Sequence, residues 1–330
     1  MKESISRERR SINSGVVPLL LAAMLLVIGM PLSATAQFVT GLEGSSGSSI
    51  GPGGALYVTE GAAGRISRVD PATGQVTTFA SGLPPSIVGI GGAIDVAFIG
   101  STAYALVTLV GPDVGGDSVV GIYRVDGPNR FTIIADLGAF ALNNPPSTPF
   151  FVPTGVQYSI EPYRGGFLVA DGHHNRVLYV TLNGQVSVLV AFGNIVPTGL
   201  AVSGNTIYMA QAGPVPHLAA QGKVVSFSPG SPTTEVAFGA PLLVDVEFGR
   251  GRTLYALSQG IWDGVEEGSP ALPYTGSLVQ VNADGSLRVI ASNLNQPTSL
   301  EFIGTTAYIV SLAGEIWRIE GVGDPPFGDH

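Results

Sequence analysis

The stretch Ala55-Leu56-Tyr57-Val58-Thr59-Glu60 returns five times along the chain. Its copies are Thr102-Ala103-Tyr104-Ala105-Leu106, Gly166-Phe167-Leu168-Val169-Ala170-Asp171, Thr206-Ile207-Tyr208-Met209-Ala210-Gln211, Thr253-Leu254-Tyr255-Ala256-Leu257-Ser258 and Thr306-Ala307-Tyr308-Ile309-Val310-Ser311. The six copies lie about 40 to 60 residues apart. A short apolar strand recurring at that period predicts an all-β propeller of six four-stranded blades.

The other strands of each blade can be read around this one. An inner strand a precedes it, as in Ile94-Asp95-Val96-Ala97-Phe98 and Val244-Asp245-Val246-Glu247-Phe248. Strand c follows, as in Arg65-Ile66-Ser67-Arg68-Val69 and Arg176-Val177-Leu178-Tyr179-Val180. A turn at Thr73-Gly74, Asn183-Gly184 or Asp284-Gly285 leads into strand d. Apolar and polar residues alternate, as they do in half-buried strands. The sixth repeat lacks a strand d of its own. Gln37-Phe38-Val39-Thr40-Gly41-Leu42 resembles the ends of other d strands, so the start of the mature chain is expected to complete the last blade. That pairing would hide two sheet edges.

The first 36 residues read as a leader. Lys2, Arg7, Arg9 and Arg10 are basic, Val16 to Met30 is apolar, and Ala34-Thr35-Ala36 offers a small-residue cleavage site. We therefore expect a signal peptide over 1–36, a propeller over 37–322 and a short tail over 323–330, with the protein in a periplasm or outside the cell. No stable membrane insertion is expected after cleavage.

Beyond residue 36 the chain has 11 basic and 22 acidic residues, and Lys223 is its sole lysine. A surface this poor in cations does not suit nucleic acid. The chain has no cysteine, which excludes disulfides, thiolate metal sites and cysteine nucleophiles. No Gly-x-Ser-x-Gly elbow or phosphate-binding loop is visible.

Val169-Ala170-Asp171-Gly172-His173-His174-Asn175-Arg176-Val177 is similar to the hallmark of NHL repeats. With Gly51 to Glu60 and the Pro-Thr-Gly strand starts, the chain resembles the ScyD/ScyE family of exported NHL-like propellers, over essentially all of its mature length. The resemblance implies the architecture and leaves the activity open. Related six-bladed folds include gluconolactonase/regucalcin-like hydrolases and streptogramin lyases.

Strands in a blade alternate in direction, so b–c and d–a loops share one face. The long insertions fall mainly there: 109–118, 139–151, 213–221 and 260–274. Loops on a rigid scaffold commonly carry binding residues. Candidate ligand-binding residues on this face are Asp95, Phe150, Phe151, His217, Asp245, Trp262, Asp263, Glu266 and Tyr274, with Glu267 alongside. The expected occupant is a small molecule or a partner protein.

Asp95 and Asp245 hold the same place in strands a of blades 2 and 5, which face one another across a six-bladed ring. They are candidate ligands for a divalent cation such as calcium, which takes about six to eight oxygens. Alternatively, each carboxylate bonds backbone amides nearby. Glu60–Arg65 and Asp171–Arg176 share a five-residue spacing and read as a structural feature of the repeat, a charge-assisted bridge holding the b–c hairpin and not a catalytic pair, which at the surface would contribute little. His173 and His174 read as a solvated hairpin tip, with a general base beside Asp171 as the other possibility. The leading functional expectation is a non-catalytic binding module. The alternative is a metal-assisted lactonase-like or lyase-like enzyme working over the channel.

Overall fold

The computed structural model describes residues 35–265 and 268–322, which form six sheets of four antiparallel strands. The chain starts with β1 (Thr35–Val39). Blade 1 is β2 (Ser45–Ile50), β3 (Leu56–Glu60), β4 (Arg65–Val69) and β5 (Val76–Ser81). Blade 2 is β6 (Gly92–Ile99), β7 (Thr102–Thr108), β8 (Gly121–Gly127) and β9 (Arg130–Asp136). Blade 3 is β10 (Gln157–Tyr163), β11 (Gly166–Asp171), β12 (Arg176–Thr181) and β13 (Val186–Ala191). Blade 4 is β14 (Pro197–Ser203), β15 (Thr206–Gln211), β16 (Lys223–Phe227) and β17 (Thr234–Phe238). Blade 5 is β18 (Leu243–Phe248), β19 (Leu254–Ser258), β20 (Gly276–Val281) and β21 (Leu287–Leu294). Blade 6 is β22 (Pro297–Ile303), β23 (Thr306–Ser311) and β24 (Glu315–Ile319), completed by β1.

The closure expected from the sequence is present. Gln37 pairs with Trp317 and Val39 with Ile316, and the Leu42 amide donates to the Gly314 carbonyl at 3.1 Å. Val39 and Leu42 are buried against Leu56, Val310 and Ile316. The strand therefore joins blade 6 to blade 1 through apolar packing as well as its ladder. The leader expected over 1–36 lies outside the described residues except for Thr35 and Ala36, which begin β1. The tail at 323–330 lies outside them too. No described helix is long and apolar enough to cross a membrane.

The repeated aromatic of strand b packs the seams between blades. Tyr57 of blade 1 meets Phe98 of blade 2 at a ring separation of 4.7 Å. Tyr208 meets Phe248 at 5.1 Å and Tyr255 meets Phe302 at 4.9 Å, each across the next seam. The Tyr308 hydroxyl donates to the Pro71 carbonyl of blade 1 at 3.0 Å. Aromatic pairs of this kind add about 0.5–1.5 kcal/mol each beyond the area they bury.

Two expectations need correction. The insertion expected as loop over 139–151 begins inside a helix, α1 (Leu137–Asn143), because Asp136 caps it by accepting the Ala139 amide at 2.7 Å. The acid–arginine pairs bridge the b–c hairpins as expected, but their acids lie in the interior and not at the surface. Asp171 is fully buried and takes Arg176 Nε at 2.7 Å, with the Arg176 side chain only 3% exposed. Glu60 is also fully buried and accepts Arg65 Nε at 2.9 Å, Ser67 Oγ at 2.5 Å and the Glu43 amide at 2.7 Å. Each pair sits on directly opposed residues of strands b and c, which explains the spacing.

Leu42→Ala should lower the unfolding free energy by about 2–5 kcal/mol, measured by urea titration, because it hollows the closing seam. Leu142→Ala, at an exposed position, should stay within about 0.5 kcal/mol. Asp171→Ala should cost about 3–5 kcal/mol in the same assay, since it strands a buried guanidinium.

Candidate functional site at the channel mouth

Each strand a is innermost in its blade, so residues in equivalent register form rings around the channel. The strand pairing places Ser49, Ala97, Glu161, Ala201, Glu247 and Glu301 opposite the repeated aromatic position of strand b. Two residues earlier comes the ring Gly47, Asp95, Ser159, Gly199, Asp245 and Ser299. One earlier again comes Ser46, Ile94, Tyr158, Thr198, Val244 and Thr298. The middle ring reads Gly-Asp-Ser twice, so the two halves of the propeller repeat.

Asp95 and Asp245 do the same job at opposite points. Asp95 Oδ1 accepts its neighbour Val96 amide at 2.8 Å, and Oδ2 accepts the Ile160 amide of blade 3 at 2.8 Å. Asp245 Oδ1 accepts the Val246 amide at 2.8 Å, and Oδ2 accepts the Leu300 amide of blade 6 at 2.7 Å. Each carboxylate clasps one blade to the next. Gly47 and Gly199 on the preceding blades make room, because a Cβ at either would collide with the aspartate. Ser299 continues the pattern by accepting the Ser48 amide of blade 1 at 3.1 Å.

Glu161, Glu247 and Glu301 join the two aspartates on the wall of a channel cavity of about 60 Å³. No basic side chain lines it among the described residues. Burial is the main reason all five carboxyls hold their protons more tightly than usual. Asp245 is pushed up to about 7, opposed by the Leu300 and Val246 amides and by Ser299. Glu247 is pushed up to about 8, with the Asp245 charge adding to burial. Asp95, Glu161 and Glu301 are raised well above the ordinary carboxylate range, by burial first and then by the other acids.

The described residues offer no ready ligand set for a divalent ion. Both oxygens of Asp95 and of Asp245 already accept backbone amides. No group of three or more His, Asp or Glu side chains among the described residues is placed to hold a metal.

Above the channel the cavity widens into a vestibule of about 110 Å³ on the long-loop face. All six residues of the Ser46 to Thr298 ring line it, so this ring is the waist between vestibule and channel. The wall is largely apolar, with Ile90, Val196, Ala212, Leu242, Pro270 and Leu312. Its polar groups are mostly fixed by the fold. Thr198 Oγ1 donates to backbone carbonyls of Ala210 and Leu243, and Thr298 Oγ1 to those of Ser46 and Val310. Gln259 Oε1 accepts the Ala271 amide at 2.9 Å. His217 Nδ1 donates to the Gly213 carbonyl at 2.7 Å. Tyr158 Oη and His173 Nε2 share a hydrogen bond of 2.8 Å.

The sequence candidates divide accordingly. His217 lines the vestibule and is 4% exposed, and the Trp262 ring meets it edge-on at 5.9 Å. Asp95 and Asp245 line the channel below. Phe150 and Phe151 cover His174 and His173 at ring separations of 5.1 and 4.7 Å. Asp263 is used within its own loop, accepting the Val265 amide at 2.9 Å and Ser269 Oγ at 2.6 Å. Tyr274 is 57% exposed and is not among the residues that line the vestibule. Glu266 and Glu267 fall outside the described residues.

The histidine pair is the main correction. His173 and His174 are buried, at 4% and 2% exposure, not at a solvated tip. The 139–151 insertion folds over them: Phe150 and Phe151 pack on the two rings, Arg176 Nη1 donates to the Asn144 carbonyl at 2.7 Å, and His174 Nε2 lies 3.0 Å from the carbonyl of Val152, the next residue along. The sequence reading missed Tyr158 and the three channel glutamates. A register alignment of strands a gives the signal, since Glu161, Glu247 and Glu301 share one position.

No family model matches the chain, and no curated protein matches it in sequence. Solved structures do match. A gluconolactonase from Xanthomonas campestris aligns with a TM-score of 0.62 at 12% identity, covering 87% of this chain and 89% of that one. A PQQ-bound aldose sugar dehydrogenase from Streptomyces coelicolor aligns at 0.58 and 14% identity, covering 87% and 98%. A virginiamycin B lyase from Staphylococcus aureus aligns at 0.54 and 13%, covering 87% and 98%. At such identities the likeness establishes the six-bladed fold alone.

The channel acids make stability depend on pH. Asp245 and Glu247 bind protons more tightly folded than unfolded, where their values are 3.8 and 4.5. Their contribution is complete below about pH 4 and is lost as pH rises toward 7 and 8. The melting temperature should therefore fall between pH 5 and 8, and Glu247→Gln should flatten that fall and raise the value at pH 8.

Proposed function

We propose that this protein is an exported binding module of the ScyD/ScyE type that holds a small, largely apolar ligand in the vestibule without chemical turnover. One observation carries the reading: all six blades contribute a ring residue to a single apolar-walled cavity. Cavities of this kind, apolar with a few fixed polar groups, are the usual form of small-molecule sites. The long-loop face supports it further, because exposed Ile87, Phe150, Phe151, Val215, Ile261 and Val265 stand on loops of that same face. A leader over 1–36 would deliver the module to a periplasm or beyond, with Gln37 at its start.

The competing reading is a metal-assisted lactonase or lyase. It is the less supported one, since no group of three or more metal-ligating side chains gathers among the described residues. Elemental analysis of the purified protein, paired with a lactone hydrolysis screen, separates the two.

The neutral fluorophore N-phenyl-1-naphthylamine should brighten on binding the purified protein at micromolar concentrations. Leu312→Trp, which fills the vestibule from a half-buried position, should abolish that signal with an unchanged circular dichroism spectrum. Loss of the 260–274 insertion should weaken it as well. Undiminished binding in Leu312→Trp would show that the vestibule is not the site.

A further inference from the structure

We propose that the vestibule is one part of a larger site: it continues under the loops of blades 6, 1 and 2 into a side lobe, and the two spaces take one uncharged, bent molecule with two apolar arms and a polar group at the bend, beside Ser46. This rests on the vestibule being the binding site.

The lobe lies on the long-loop face and holds about 210 Å³, nearly twice the vestibule's 110 Å³. Ser46, Ile90, Ile94, Pro270 and Leu312 line both, so the two spaces meet along a common edge. Small-molecule sites usually enclose roughly 300 Å³ or more. Neither space reaches that size by itself, and the two together do. The lobe is also built into the fold. Gly44 and Gly91 border it at positive φ, and a Cβ at either would come within 2.8 Å of Ala62 or 2.7 Å of Leu109. The loop over 84–91 is tied down by the Ser86 amide, which donates to the Gly61 carbonyl at 2.8 Å, and by Ser86 Oγ, which donates to the Ile90 carbonyl at 2.7 Å.

Ser46 marks the bend, because it lines the vestibule, the lobe and the channel beneath. Its carbonyl accepts Thr298 Oγ1, but its hydroxyl makes no hydrogen bond among the described residues. Its neighbours are committed: Ser45 Oγ donates to the Ser311 carbonyl at 2.6 Å, and Ser48 Oγ shares a bond of 2.8 Å with Ser299 Oγ. A free hydroxyl both gives and accepts, so a small polar group on the ligand is its complement. Charge narrows the class further. No Asp, Glu, Lys or Arg lines either space among the described residues. A charged ligand would lose its hydration there and meet no counter-ion.

The test uses benzhydrol, with two phenyl arms and a hydroxyl at the bend; 1,1-diphenylethane, of the same shape with a methyl there; and toluene, with one arm. Each is titrated calorimetrically against variants whose circular dichroism matches wild type. Ala62→Trp, which fills the lobe from an exposed position, should weaken benzhydrol about tenfold, the scale of one apolar arm, and leave toluene unchanged. Ser46→Ala should lower the affinity ratio of benzhydrol to 1,1-diphenylethane about fivefold, the scale of one hydrogen bond. Undiminished benzhydrol binding in Ala62→Trp, an unchanged ratio in Ser46→Ala, or wild-type binding of toluene alone overturns the inference while the vestibule reading stands. If neither benzhydrol nor toluene binds wild type, or if Leu312→Trp binds them as tightly as wild type does, the vestibule reading fails and takes the inference with it.

Discussion

The pairing of β1 with β24 is the constraint on which the rest of the molecule depends. A propeller blade packs against two neighbours, and its inner strand points at a common axis only while the ring is closed. Here the first and last strands come from opposite ends of the described chain and share one sheet. Without β1, strand β24 would present an unpaired edge, and the apolar seam around Val39 and Leu42 would open to water. The strand contributes little chemistry of its own, yet every ring of channel residues is set by it.

Inside that ring the two aspartates do structural work at an electrostatic cost. Each gives up solvation and gains two backbone amides, one of them from the next blade. Their opposed positions and the Gly-Asp-Ser order repeated in both halves point to a twofold pattern within the sixfold ring. Among the described residues the three glutamates lack that compensation except for the Phe248 amide, which donates to Glu247 at 2.7 Å. Crowding them in one narrow cavity favours protonation, so near neutral pH the channel carries fewer charges than its composition suggests.

The vestibule above is chemically different. Side chains from all six blades meet there, and the polar ones among them bond mostly to the fold itself. Tyr158 stands at the junction between the two regions, bonded to a histidine that the neighbouring insertion has covered. That covering illustrates where sequence reading failed. Asp171, His173, His174 and Arg176 follow one another in a hairpin, and a hairpin tip alone would be wet. The 139–151 segment arrives from the preceding blade and buries them, and no local pattern in residues 171 to 176 announces it.

The sequence by itself determined the blade count, the order of strands within each blade, the N-terminal closure and the face on which insertions gather. These follow from period-two alternation and from a repeat whose copies can be aligned, both properties of the chain read locally. The tertiary structure decided which residues meet. Glu161, Glu247 and Glu301 lie more than fifty residues apart, and only closure of the ring brings them to one wall. Asp95 faces Asp245 as the repeat implied, but its oxygens are taken by amides of the next blade, a contact fixed by how blades lean together. Burial of the histidines and the waist at Tyr158 have the same origin: packing between elements distant in sequence sets solvation, and solvation sets what each side chain can do.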